Sequence, residues 1–325
     1  MKNQTLDLDL LQLEGLKVTP ETSVPAFVFL LLIYIFIVVA NVGLVALISM
    51  ESSLHQPMYL LFCNMSVNDV FGASTVIPRL LSDIFVSDRY ITYTDCVVQT
   101  FCSHFHAATS HTVLMIMAYD RYVAVCSPLH YAAIMTGRMV VKLSTAAWST
   151  AFVVILVLVL LDVRLSRCRR VIRNPFCDNA SLFKLSCENV VINQVYGIFT
   201  AIGMLTVSVS TIMLTYLRIA IVCLSGKSNA VNGRALQTCA THLALYVVLL
   251  LSGCTIVALH RFPYLSDQRK LASIMLHVVP PALNAVIYGL QIKAVRQKIF
   301  ILFTRNKMTV FQVKSKSFPW CHSSM

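Results

Sequence analysis

The sequence predicts an all-α membrane protein: a bundle of seven transmembrane helices followed by a short amphipathic helix at the interface. Three observations carry that prediction. Only 12% of the 325 residues are charged while 57% are hydrophobic, and mean hydropathy is +0.74; soluble domains carry about 25% charged residues. The apolar residues gather into seven blocks, each long enough for the roughly 20 helical residues that cross a hydrocarbon core of about 30 Å. No block alternates with period two, and in lipid only helices or closed barrels satisfy their own backbone.

The blocks run over 26–50, 57–85, 96–122, 139–161, 190–224, 235–259 and 271–290. The chain therefore divides into a tail over 1–25, a seven-span domain over 26–290, an interfacial helix over 291–304 and a second tail over 305–325. The first 24 residues begin polar and acidic (Asp7, Asp9, Glu14) and hold no cleavable signal peptide, so the first span is expected to act as an uncleaved anchor. After the seventh span, Ile292, Val295, Ile299, Leu302 and Phe303 share one face and Lys293, Arg296 and Lys298 fill the rest. That pattern lies in a leaflet surface.

A net charge of +12 can signal nucleic acid. Here the basic residues sit between and after the apolar blocks, with no aromatic-interleaved basic segment of the kind single-strand binders use. Lipid headgroups and a cytoplasmic partner are the expected contacts. Nucleic acid is excluded.

An odd number of spans puts the termini on opposite sides. Basic residues, thirteen on each side, decide nothing about which is which. Cysteines decide it. Cys168, Cys177 and Cys187 share the long segment after span four, and Cys96 opens span three; disulfides persist only in an oxidising compartment. The same side carries the sequons at Asn3 and Asn179, so the N-terminus is expected outside and both asparagines are candidate glycosylation sites. A third sequon, at Asn64, falls within span two and is unusable. Four cysteines allow three pairings, and none of the 11 has metal-site spacing.

Motifs now fall in order. Met117-Ala118-Tyr119-Asp120-Arg121-Tyr122-Val123-Ala124-Val125-Cys126 closes span three, and Leu54-His55-Gln56-Pro57-Met58-Tyr59 precedes span two. Thr215-Tyr216 lies in span five, Leu236-Gln237-Thr238-Cys239-Ala240-Thr241-His242-Leu243 enters span six, and Pro281-Ala282-Leu283-Asn284-Ala285-Val286-Ile287-Tyr288 fills span seven. Together these resemble the vertebrate odorant receptors, a family of rhodopsin-like G-protein-coupled receptors, over nearly the whole chain. His260-Arg261-Phe262 resembles the class I, fish-like branch. The resemblance implies disulfides Cys96–Cys177 and Cys168–Cys187. It implies a switch made of Asp120, Arg121, Tyr122, Tyr216, Asn284 and Tyr288, with Arg121 held in the resting state and turned to the G protein in the active one. It also implies a plasma-membrane location and a stimulatory G protein that raises cAMP.

Asn41, Asp69 and Asn284 form an expected polar core, since an ionisable group in hydrocarbon is costly unless paired or functional. In the family such a core often holds sodium; a purely structural network joining spans one, two and seven explains the same residues equally well. No other cofactor is expected.

Two departures from the family pattern stand out. Its Asn-Pro-x-x-Tyr reads Asn284-Ala285-Val286-Ile287-Tyr288, leaving Pro280 and Pro281 as the nearest bend sources. Its Phe-Tyr-Gly in span six reads Leu249-Leu250-Leu251, which predicts a leucine floor under the ligand.

The ligand is expected between spans three, five, six and seven, against His104, Ala107, Ala108, His111, Leu250, Thr255 and Arg261. Ser103 stands where amine receptors carry Asp, so a cationic amine lacks its counter-ion. His104 and His111 lie seven residues apart on one face, a spacing that more often reflects hydrogen-bonded packing than a metal site. Arg261 is either a solvated rim charge or, with His104, a clamp for an acidic odorant.

Other classes fit less well. A transporter calls for matched repeats with interrupted helices, and none is evident. The sequence has neither His-Glu-x-x-His nor Gly-x-Ser-x-Gly, so no enzyme is expected. A rhodopsin-like receptor for a lipid, metabolite or peptide is the alternative within receptors.

Overall fold

The computed structural model describes residues 9–16, 18–86, 88–225, 229–259, 262–291 and 296–297. The interfacial helix expected over 291–304 falls almost wholly outside them, as do the tail over 305–325, Asn3 and Arg261. Among the described residues the seven blocks become seven long helices: α1 (Pro20–Met50), α2 (Pro57–Asp83), α3 (Tyr93–Cys126), α4 (Gly137–Val163), α5 (Val191–Ser225), α6 (Asn229–Leu259) and α7 (Ser266–Gln291).

Helix α1 begins six residues before the apolar block. Thr19 and Thr22 cap it reciprocally and Pro20 occupies the first turn, where its missing N–H costs nothing. Thr92 caps α3 by accepting from the Asp95 N–H at 3.1 Å, and Thr136 caps α4 by accepting from that of Met139 at 3.2 Å.

Six helices are apolar enough by hydropathy alone to cross a membrane; α3 is not among them. Its position explains that. It packs against α2, α4 and α5 and also touches α6, so Ser103, His106, Thr109, Ser110 and Thr112 are buried in protein and away from lipid. A helix shielded on most sides can carry polar side chains that a peripheral span cannot. The peripheral α1 and α5 instead expose Phe29, Leu32, Val39, Phe199, Leu214 and Leu217.

One face carries a cap that the helix pattern does not announce. Three short strands, β1 (Leu10–Leu13), β2 (Arg89–Thr92) and β3 (Val171–Ile172), form a sheet of order β2-β1-β3. Strand β1 pairs antiparallel with β2, Leu11 opposite Ile91, and parallel with β3, Leu13 opposite Ile172. The N-terminal segment is thus a structural element and not merely a tail. Gly15, at φ +66°, turns the chain out of β1 where a Cβ would overlap the Arg89 guanidinium. Disulfides join Cys96 to Cys177 and Cys168 to Cys187. Around the first, Leu11, Leu13, Ile91, Ile172, Leu182 and Leu185 make a small core of their own.

Candidate functional site

Below the cap, α2, α3 and α7 meet through buried imidazoles. The Ser103 hydroxyl lies 2.9 Å from His277 Nε2, and His277 Nδ1 faces the Ser273 carbonyl at 3.0 Å. A carbonyl only accepts, so Nδ1 carries the proton and Nε2 accepts from Ser103. By the same argument His106 Nδ1 donates to the Asn68 carbonyl at 2.9 Å. Asn68 Nδ2 in return donates to the His106 carbonyl at 3.1 Å and to Ser110 Oγ at 2.9 Å. The two histidine rings lie 5.7 Å apart, and Phe176 of the bridged loop meets His277 edge-on at 5.3 Å. His104 Nδ1 is buried with no hydrogen-bond partner among the described residues.

A second polar group joins α3, α5 and α6. Ser208 Oγ lies 3.3 Å from His111 Nδ1 and 2.8 Å from the Tyr246 hydroxyl, and the His111 and Tyr246 rings sit edge to face at 6.0 Å. This corrects the expected leucine floor. Leu249 is buried and Leu250 half-buried against the core, but Leu251 is 59% exposed on the outer face. Tyr246, one turn before Leu249–Leu251, supplies a phenol the sequence pattern had assigned to no role. A thermodynamic cycle checks the group: Tyr246→Phe and Ser208→Ala are each expected to destabilise purified protein by about 1 kcal/mol. The double variant is expected to lose little more than either alone; full additivity in thermal denaturation would show that the bond contributes nothing.

Other expected ligand contacts are dispersed. Ala108 packs among Ala151, Ile155, Leu158 and Val159, so it faces α4 and not the interior between α3 and α6. The Thr255 hydroxyl donates to the Leu251 carbonyl at 2.7 Å on the exposed side of α6. Both are removed from the expected lining. Ala107 is half-buried on α3. His104 and His111 have separate surroundings, and among the described residues no three His, Cys, Asp or Glu side chains are grouped to hold a metal. Asn179 is half-buried at the start of a short helix in the bridged loop; its Oδ1 has no hydrogen-bond partner among the described residues, and a Cβ on Gly197 of α5 would come within 3.0 Å of its Nδ2.

Deeper in the bundle, Asn284 Nδ2 donates to Asp69 Oδ2 at 2.8 Å. Asn41 Nδ2 donates to the Ile37 carbonyl at 2.9 Å and to that of Pro281 at 3.4 Å. Helix α7 continues through Pro280 and Pro281. Asn41 Oδ1, Asp69 Oδ1 and Ser66 Oγ are buried with no partner among the described residues. Unpaired oxygens beside a carboxylate are the donor set a hard cation prefers, so the residues fit sodium. Asn64, the third sequon, accepts from Trp148 Nε1 at 3.2 Å inside the bundle.

At the opposite end from the cap, the Arg121 guanidinium folds onto Asp120 Oδ2, and Tyr131 donates to Asp120 Oδ1 at 2.8 Å. Burial, and then the Asp120 charge, push the Tyr131 phenol well above its ordinary range, which keeps it a donor. Tyr122 stacks with Tyr119 at 6.5 Å. Tyr216 is hydrogen-bonded to His242 Nδ1, joining α5 to α6, and the buried Tyr288 stacks on Phe62 at 4.2 Å, joining α7 to α2. Asp120 and Arg121 thus form one unit, while Tyr216 and Tyr288 engage other partners.

Sequence reasoning missed His106, His277, Ser208 and Tyr246. Their one signal was polarity on otherwise apolar helices; which helix each would face depends on the relative rotation of the spans.

Comparison with known proteins gives these groups a context. Residues 30–306 match the family model described as olfactory receptor. The chain is 33% identical over 313 residues to olfactory receptor 4Q2 of Homo sapiens, covering 95% of this chain and 98% of that protein. It is 34% identical over 279 residues to olfactory receptor 56A4 of Homo sapiens, covering 84% and 88%. To olfactory receptor 4M1 of Mus musculus it is 33% identical over 297 residues, covering 90% and 94%. A family match across the spans, with relatives above 30% identity along most of both chains, leaves one assignment: the chain belongs to the olfactory receptor family, whose members are multi-pass membrane receptors and not enzymes.

Proposed function

We propose that this odorant receptor faces outside with its N-terminus and disulfide cap, and that it activates a stimulatory G protein through the Asp120–Arg121 end. The observation that carries the reading is α3 itself. One helix holds the buried Ser103–His277 contact in its cap-side half, the His111–Ser208 contact near its middle and the Arg121–Asp120 pair toward the opposite end. A ligand that displaces α6 or α7 from α3 and binds the displaced form better shifts the population that frees Arg121. The two disulfides support the orientation, because they need the oxidising side.

Asp69, with Asn41 and Ser66, would hold sodium in the resting state, where the ion supplies the positive charge that a buried carboxylate lacks. The basic face over 291–304 would rest on anionic lipid. Arg261, with His104, would clamp small acidic odorants in the manner of the class I branch.

A cAMP reporter challenged with acids, esters, alcohols and amines tests the reading. Wild type is expected to respond to at least one acid. Arg121→Ala is expected to lose more than about tenfold in response at equal surface display, and Arg261→Ala to lose acids selectively. Silence across the panel together with a response to a lipid or peptide library would overturn it.

A further inference from the structure

The cap forms a partly open cavity of about 920 Å³ between β1, the bridged loop and the start of α7. Its lining is strongly cationic. Arg169, Arg170, Arg173, Lys184 and Arg269 face it, and Glu14 is its one acidic lining residue. That carboxylate is already engaged, with Oε1 3.2 Å from Nζ of Lys270, a lysine only 1% exposed. Among the described residues no ion pair reaches Arg169, Arg173 or Lys184. Arg269 Nη2 donates to Asn174 Oδ1 at 3.1 Å, while its Nε is buried with no partner among the described residues.

These cations are held in place. The Gln12 N–H donates to the Arg170 carbonyl at 2.8 Å and that of Glu14 to the Ile172 carbonyl at 2.9 Å, so β1 fixes the backbone carrying Arg169 to Arg173. The Cys168–Cys187 bridge anchors the preceding residue. Asn174 is held by donating to Asp178 Oδ2 at 2.8 Å and Ser181 Oγ at 3.0 Å, which in turn positions Arg269. Like charges gathered on a fixed frame repel one another until an opposite charge enters. Guanidinium forks match the two oxygens of a carboxylate or phosphate.

We propose that this vestibule is a binding site for a small, dissolved, multiply charged anion bearing carboxylate or phosphate groups. It lies on the outer side of the loop whose Phe176 packs against His277, so it is a second site beyond the odorant pocket between the helices.

The test uses full-length receptor in nanodiscs of zwitterionic lipid, titrated with citrate or inorganic phosphate against chloride at constant ionic strength. Wild type is expected to show a saturable rise in Tm. Arg169→Ala with Arg173→Ala is expected to raise the half-saturating concentration by about tenfold or more, while Arg138→Ala, at the opposite end, leaves it unchanged. Lys184→Ala, on an exposed side chain, gives an intermediate shift and covers failure of the double variant to fold. No saturable rise, or equal rises in all variants, would overturn the site. Stabilisation by anionic-lipid nanodiscs alone, with neither soluble anion active, would overturn it in favour of a headgroup. The readout is thermal, so a receptor silent to odorants can still pass or fail.

Discussion

Gly72→Ala is expected to strip the receptor of most of its surface display and to abolish odorant responses in what remains. A Cβ at position 72 would lie 2.3 Å from His106 Cγ and Nδ1 and 2.5 Å from Cδ2. The ring has no free direction of escape. Its Nδ1 is bonded to the Asn68 carbonyl of α2, its other face neighbours His277, and the residue is buried. Either α2 moves off α3 or the imidazole leaves its acceptor. Overpacking of this kind costs about 1–3 kcal/mol and occasionally more, and orphaning the buried His106 Nδ1–H adds about 1–3 kcal/mol. That sum is a large part of a typical folding stability of about 5–15 kcal/mol. Gly43→Ala on α1 is the control, since nothing among the described residues lies within 4 Å of its Cβ position. It should be neutral or slightly stabilising, because Ala is the better helix former. The measurement is surface labelling of intact cells with thermal denaturation of the purified protein. Adding His106→Ala to Gly72→Ala is expected to restore display in part. If Gly72→Ala and Gly43→Ala behaved alike, the proposed α2–α3 contact would not exist.

The same contact shows what a sequence can and cannot disclose. The spans were legible because lipid allows few backbone solutions, and each block therefore had one reading. Asp69 with Asn41 and Asn284 was legible for a related reason: an isolated carboxylate among apolar residues demands partners, and amides were available at matching depths. The helix-one start was hidden because capping at Thr19 and Pro20 extends the helix into residues whose polarity says tail. The cap sheet was hidden because strands of four and two residues carry no period, and their order joins segments that lie far apart in the chain. Helix rotation hid the rest. Leu249, Leu250 and Leu251 read as one apolar floor, yet at 3.6 residues per turn three consecutive residues cannot face one pocket. Leu251 points outward, and Tyr246 presents the phenol instead.

Cys177→Ser is expected to be more damaging than Cys187→Ser, although both break a disulfide on the same face. The Cys96–Cys177 bridge closes a sequence separation of 81 and the Cys168–Cys187 bridge one of 19. On the chain-entropy account these loops are worth about 4.5 and about 3 kcal/mol. Packing widens that gap. Cys96 and Cys177 are both fully buried in the cap's own core, whereas Cys168 and Cys187 are exposed. Cys177 also donates its N–H to Gln99 Oε1 at 2.9 Å, and Gln99 Nε2 donates in turn to the Thr75 carbonyl at 3.1 Å, so the residue ties the loop to α3 and α2 together. Its neighbour Phe176 rests on His277. Losing the bridge therefore frees the loop from three helices, while losing Cys168–Cys187 loosens only the stretch over 168–187. Flow cytometry of tagged receptor is expected to show near-complete loss of surface signal for Cys177→Ser and partial loss for Cys187→Ser. The paired variant Cys96→Ser/Cys177→Ser removes the unpaired thiol and is expected to match Cys177→Ser, because the missing constraint and not the exposed thiol does the damage. Equal or greater loss from Cys187→Ser would place the cap's main anchor at the rim and contradict the packing around Cys96.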